Sequence, residues 1–278
     1  MPNPSKPRPL RHPHRLAAAA MALLATLATL PGGPAQAAAS AEAQVLDLQL
    51  TLVDLTPDDG QAASALWADG SSLLAGQLDS LDGSTPGLSF SKALPSAFAG
   101  LAGSTALPGG QVAARIGAQS LQAWGSAGDG LTFSASASSG HGLLGGGIVL
   151  GPGTGLRLAL RYSLQASVDS RDSACAVCDS AQAQLTVLLG LDQPGLLTEQ
   201  RSVLADTALG LDSDSSSDTL ALAWDNTGTV DQTLGVGVTL SVAGLGISAA
   251  PVPEPGAALL LAVGLAGLGM AARRRGLA

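Results

Sequence analysis

In several stretches of this chain apolar residues recur at every second position, a pattern that commits each stretch to a strand with one buried face. In Val45–Leu52, Leu46, Leu48, Leu50 and Leu52 share one side, and Asp47, Gln49 and Thr51 share the other. Leu156–Val168 sets Leu156, Leu158, Leu160, Tyr162 and Leu164 against Arg157, Ala159, Arg161 and Ser163. Thr233–Val242 alternates Leu234, Val236, Val238, Leu240 and Val242 with small or polar residues. Ala181–Leu189 and Thr219–Asp225 are further strand candidates, while Gln111–Ala123 and Leu131–Ser138 alternate less cleanly. Turn-forming clusters separate them at Pro57–Gly60, Asp82-Gly83, Gly128–Gly130, Gly151–Gly153 and Asn226–Gly228. The only helical spacing is a short one near Gln200–Leu209. Many short strands joined by Gly/Asp/Pro turns predict an all-β domain over residues 38–250, an antiparallel β-sandwich or jelly roll. The Gly- and Ser-rich composition alone would suit disorder, but a sustained period of two does not. With aromatics at 3% of the chain, the core must be built from Leu, Val and Ala.

The two ends differ from this middle. Lys6, Arg8, Arg11 and Arg15 precede an apolar run, Leu16–Leu30, then Pro31–Pro34 and Ala35-Gln36-Ala37. A basic region, a short apolar stretch and a small-x-small site describe a secretory signal peptide, residues 1–37, cleaved after Ala37. The run is shorter than the roughly 20 residues that span a bilayer comfortably. At the other end, Val252-Pro253-Glu254-Pro255 is followed by uncharged Gly256–Ala272 and by Arg273-Arg274-Arg275. Prolines around a glutamate keep that segment extended and accessible. The stretch behind it makes a helix of roughly 25 Å, enough for a single transmembrane pass through a thin bilayer. The arginines hold its end on the cytoplasmic side.

This three-part tail, residues 251–278, resembles the PEP-CTERM sorting signal of Gram-negative bacteria. The resemblance rests on Val252, Pro253, Glu254 and Pro255, the Gly/Ala/Leu segment, and the basic stop Arg273, Arg274 and Arg275. It implies export through the Sec translocon, transient anchoring in the inner membrane, and removal of the tail by an exosortase. It further implies a place at the cell surface or in an exopolysaccharide or biofilm matrix, as a non-catalytic structural or adhesive component. A carbohydrate- or calcium-binding surface module and a secreted hydrolase are the competing readings. The segment Leu52-Val53-Asp54-Leu55-Thr56-Pro57-Asp58-Asp59-Gly60 is also similar to a strand-and-turn stretch of some exported PEP-CTERM proteins, which brings no activity with it.

Charge narrows the partners. Residues 38–250 hold six Lys and Arg against twenty Asp and Glu, a net charge near −14, compared with −8 for the whole chain. Nucleic acid requires a basic footprint and is excluded as a partner. The two cysteines, Cys175 and Cys178, lie between strand candidates, and in an oxidising compartment a disulfide stiffening a hairpin tip is the default. A redox Cys-x-x-Cys would open a helix, and none is predicted there. Zinc requires about four ligands, and His141 is the only histidine of the domain.

His141 lies in a Gly-rich stretch that predicts an exposed loop, a poor platform for a general base, and no Gly-x-Ser-x-Gly elbow marks a nucleophile. The run Gly145–Gly155 lacks the features of a phosphate loop and predicts a turn or bulge. No catalytic residue and no cofactor are therefore predicted. Asp212, Asp214 and Asp218 are a weak calcium candidate, weighed against a solvated acidic loop. Trp67, Trp124 and Trp224 would stack on sugars if exposed on one face, but in a ring-poor core each is predicted buried.

Overall fold

The structure, a computed structural model, describes residues 39–247 apart from 69, 129, 143–146, 170–177 and 191–194. The predicted signal peptide with its cleavage after Ala37, and the whole sorting tail, lie outside the described residues. The chain begins with β1 (Ala39–Asp54), β2 (Ala65–Trp67), β3 (Gly70–Ser80) and β4 (Leu88–Leu94). A meander follows, of β5 (Leu101–Leu107), β6 (Gly110–Gly117) and β7 (Ser120–Ala127), then β8 (Leu131–His141) and β9 (Ile148–Leu150). The remainder is β10 (Thr154–Val168), β11 (Ser180–Gly190), β12 (Leu196–Asp206), β13 (Ser213–Asn226) and β14 (Gln232–Gly246). One sheet has the order β13-β10-β1-β7-β6-β5. The other has β12-β11-β14-β8-β3-β4, with β9 pairing β14 and β2 pairing β9. The strand pairs are antiparallel, and the two sheets enclose one apolar core, so the described residues form a β-sandwich.

The long alternating strands form the middle of that core as the pattern demands. Leu156, Leu158, Leu160 and Leu164 of β10 are buried, as are Leu185, Val187 and Leu189 of β11 and Val236, Val238 and Leu240 of β14. β1 departs from the simple alternation. Its pairing with β10 slips between Leu46 and Gln49, and Asp47 takes a left-handed φ of 52°. This β-bulge inserts one residue and shifts the inward-facing set from Ala39, Ala41, Ala43 and Val45 to Leu48 onward. Leu46 is therefore 44% exposed and does not share a face with Leu48. The bulge is fastened by the Leu48 N–H, which donates to the Gln119 carbonyl of the β6–β7 turn at 3.0 Å, and by an Asp47–Arg161 ion pair.

Three further expectations require correction. Gln111–Ala123 is two strands, because Gly117 to Ser120 forms a turn and folds β7 back on β6. Gln200–Leu209 is no helix: β11 needs a partner on its outer side, and β12 pairs with it from Leu196 to Asp206, burying only Val203 and Ala205. Tertiary pairing overrides the local helical spacing there. A single 3₁₀ turn, Thr207–Leu209, follows, capped by the Asp206 carboxylate on the Ala208 N–H at 2.8 Å and ended by Gly210 at φ 67°. Third, β10 and β11 do not form a hairpin. β10 pairs with β1 and β13 while β11 pairs with β12 and β14, so the cysteine-bearing connection crosses between sheets.

Turns are held by short acids and by one buried amide. Asn226 is fully buried; its Nδ2 donates to the carbonyls of Leu150, Gly151 and Val230 at 2.9–3.0 Å, and its Oδ1 accepts from the Gly228 N–H at 3.1 Å. In the 52–60 segment, Asp54 accepts from the Thr56 N–H at 2.9 Å, and Asp59 accepts from the Thr56 hydroxyl and the Gln61 N–H, both at 2.7 Å. Asp82 accepts from the Ser80 hydroxyl and, at 2.8 Å, from the Ser84 N–H. These bonds favour the charged carboxylate and lower the Asp82 pKa from 3.8 to about 2, led by the Ser80 hydroxyl. A depressed folded-state pKa stabilises the fold above the unfolded value, and that contribution is lost as pH falls from about 4 towards 2. Asp82→Asn is therefore expected to flatten the acid branch of the melting-temperature profile in that window and leave its neutral part nearly parallel to wild type. Thermal melts from pH 2 to 7 would show it, and an unchanged acid branch would contradict the assignment.

A polar groove on the outer face as candidate functional site

The outer face of the β13-β10-β1-β7-β6-β5 sheet is built from residues that alternate with the core. Strand register aligns them into rows across the sheet. Ser213, Ser167, Ser40, Ser126 and Gln111 make one row. Ser215, Gln165, Glu42, Trp124 and Ala113 make the next. A groove of about 870 Å³ lies along these rows, lined by Ser, Gln, Glu42, Trp124 and the segment Ser213–Ser215. Five strands at roughly 4.8 Å spacing give it a length of about 19 Å.

Glu42 and Trp124 occupy its middle, directly opposite each other on neighbouring strands. The Glu42 Oε1 accepts from the Gln122 side-chain amide at 2.8 Å and from the Gln44 amide, so the carboxylate is held in place. Ser40 and Ser167 share a hydroxyl–hydroxyl bond of 2.8 Å in the next row. A smaller groove of about 440 Å³ on the opposite sheet is lined by Gln77, Ser91, Ser134, Gln182 and Gln184, among others, and contains no carboxylate.

The predicted site residues fall elsewhere. Asp214 and Asp218 are in the paired edge strand β13, not in a loop, because β10 offers a free edge and the ladder satisfies the backbone whatever the side chains. Four residues of strand separate them by about 13 Å, too far for one ion. Asp214 accepts from the Leu204 N–H at 3.2 Å and Asp218 from the Thr219 N–H at 2.7 Å, while Asp212 precedes the strand. Among the described residues no group of three His, Cys, Asp or Glu side chains is placed to hold a metal ion.

His141 is not in an exposed loop. It ends β8, half-buried, with its ring 5.2 Å from Trp67 and 6.5 Å from Phe98 and its Nδ1 3.2 Å from the Ala68 carbonyl. The tryptophans are not buried as predicted. Trp67 is 41% exposed, and Trp124 and Trp224 are half-buried. They occupy separate places: Trp224 packs at the core's margin with its Nε1 donating to Gln232 at 3.3 Å, and of the three only Trp124 lines the groove. Cys178 precedes β11 and is not a free thiol, while Cys175 lies outside the described residues.

The signal that would have found the groove is the polar half of each alternating strand: Ser40, Glu42 and Gln44 in β1, and Gln122, Trp124 and Ser126 in β7. The sequence shows each short series, but only the register places them side by side.

Outside the sandwich, residues 251–275 match the PEP-CTERM protein-sorting motif. Neither the curated proteins nor the solved structures provide a match to the chain. The chain therefore carries a β-sandwich and, beyond it, a sorting motif. The chain thus contains a PEP-CTERM sorting motif, which implies an exosortase-sorted, exported surface protein that is anchored in the membrane before processing. Among the described residues no helix is long and apolar enough to cross a membrane, and the predicted span 256–272 lies outside them.

Proposed function

We propose that this protein is delivered to the surface of a Gram-negative cell, loses its tail to an exosortase, and serves there as a non-catalytic structural or adhesive component of an exopolysaccharide matrix. The sorting motif at 251–275 is the single observation that carries this reading. A leader of residues 1–37, removed after Ala37, accounts for entry into the Sec translocon. Val252, Pro253, Glu254 and Pro255 are the recognition element, and Arg273, Arg274 and Arg275 the stop. In the oxidising compartment beyond the membrane Cys175 pairs with Cys178, a loop too small to stabilise by much.

In the groove the Glu42 carboxylate is occupied by the Gln122 and Gln44 side-chain amides, and the second acid of the lining, Asp214, accepts from the Leu204 N–H, which suits binding more than proton transfer. The alternative of a carbohydrate-binding module with a defined ligand is favoured by one observation, Trp124 lying in a polar groove. Protease added to intact cells is expected to digest the sandwich, and the protein is expected to fractionate with the polysaccharide-rich matrix without releasing reducing ends from it. Retention in the cytoplasm, or steady release of reducing sugar, would overturn the reading.

A further inference from the structure

We infer that the outer groove of the β13-β10-β1-β7-β6-β5 sheet binds an uncharged polysaccharide lying across the strands, with Trp124 as its stacking platform. The inference rests on the reading of the protein as a surface component and names the face and the ligand class. The groove's chemistry selects that class. Its walls are mostly Ser and Gln, groups that both donate and accept and so match neutral hydroxyls, which do the same. Trp124 offers one large apolar face among them, suited to the carbon-bound hydrogens of a sugar ring. The Glu42 carboxylate beside it, fixed through Oε1 by Gln122 and Gln44, has a second oxygen able to accept from a sugar hydroxyl.

Other occupants fit less well. No Lys or Arg lines the groove, Arg115 stands only at its rim, and two acids are present, which disfavours uronate-rich and nucleic-acid polymers. A peptide would need a free strand edge or apolar side-chain pockets along the groove, whereas β10, β1, β7 and β6 are paired on both sides and the edge strand β13 borders only its end. A length of about 19 Å, with a strand at roughly 4.8 Å intervals, gives successive sugar rings a comparable set of partners.

Affinity electrophoresis of the exported protein through gels containing dextran, a soluble β-1,3-glucan or hydroxyethylcellulose, with alginate as the anionic comparison, tests this. At least one neutral polymer is expected to retard the protein. Trp124→Ala should weaken that retardation at least tenfold, Glu42→Gln should weaken it several-fold, and Leu66→Ala, on β2 of the other sheet, should leave it unchanged. Circular dichroism melts check that each variant is folded, and Glu42→Gln supplies the test if Trp124→Ala is not. No retardation by any neutral polymer, retardation by alginate alone, or full retardation of folded Trp124→Ala would each overturn the inference. An exported and processed protein that runs unretarded sinks the groove alone, whereas a retarded protein that never leaves the cytoplasm sinks the sorting reading alone.

Discussion

Phe133→Ala is expected to destabilise the sandwich by about 3–5 kcal/mol, a large share of the 5–15 kcal/mol by which domains are usually stable. Phe133 is 3% exposed in a core made mostly of Leu, Val, Ile and Ala. Its ring occupies space made by two glycines. A Cβ built on Gly125 of β7, in the facing sheet, would approach the ring to 2.2 Å, and one on Gly244 of β14 would approach to 2.3 Å. Removing the ring leaves a cavity bounded by backbone that has no side chain to fill it. Gly125→Val should itself cost about 1–3 kcal/mol or more by overpacking. Combined with Phe133→Ala, it refills part of the cavity, so the double variant should be less damaged than the sum of the singles. Urea unfolding followed by far-ultraviolet circular dichroism measures all three. A loss below about 1 kcal/mol for Phe133→Ala, or simple additivity, would contradict the packing described.

The second large effect concerns delivery. Replacing Pro253, Glu254 and Pro255 together by alanine is expected to stop tail removal while leaving the sandwich folded. Ala-Ala-Ala can continue the helix predicted for 256–272, so the bias of the two prolines towards an extended, protease-accessible segment is lost. It also withdraws the one carboxylate in the motif, and processing is expected to fall at least about tenfold, the equivalent of about 1.4 kcal/mol of lost recognition. The precursor should then accumulate in the inner-membrane fraction at its full tail-bearing mass, with the same melting temperature as the processed protein. Gel mobility and membrane fractionation give the readout. Unchanged processing of the triple variant would contradict the assigned role of the motif.

The fold was legible where alternation was long and Leu-rich, and β10, β11 and β14 are accordingly the centre of the core. It was illegible where a residue does its packing without an apolar side chain. In β3 and β5, Gly76 and Gly103 are sockets for the Phe90 ring, within 2.3 Å and 2.5 Å of an added Cβ, so an apolar pattern passes over them. In β13, Asp214 and Ser217 give no strand signal, and the segment becomes one because β10 has an edge to complete. The β1 bulge at Asp47 was invisible because a register slip depends on the partner strand, not on local composition. The sorting motif, a linear signal, could be read from the sequence. The groove could not, since Glu42 and Trp124 are far apart in sequence and meet only through the β1–β7 register.

Mass spectrometry of the C-terminus of the protein recovered from the cell surface tests the account most directly. The account predicts a chain that ends at or near Val252–Pro255 and lacks the apolar stretch and the three arginines. A surface chain that runs intact to Ala278 would contradict it.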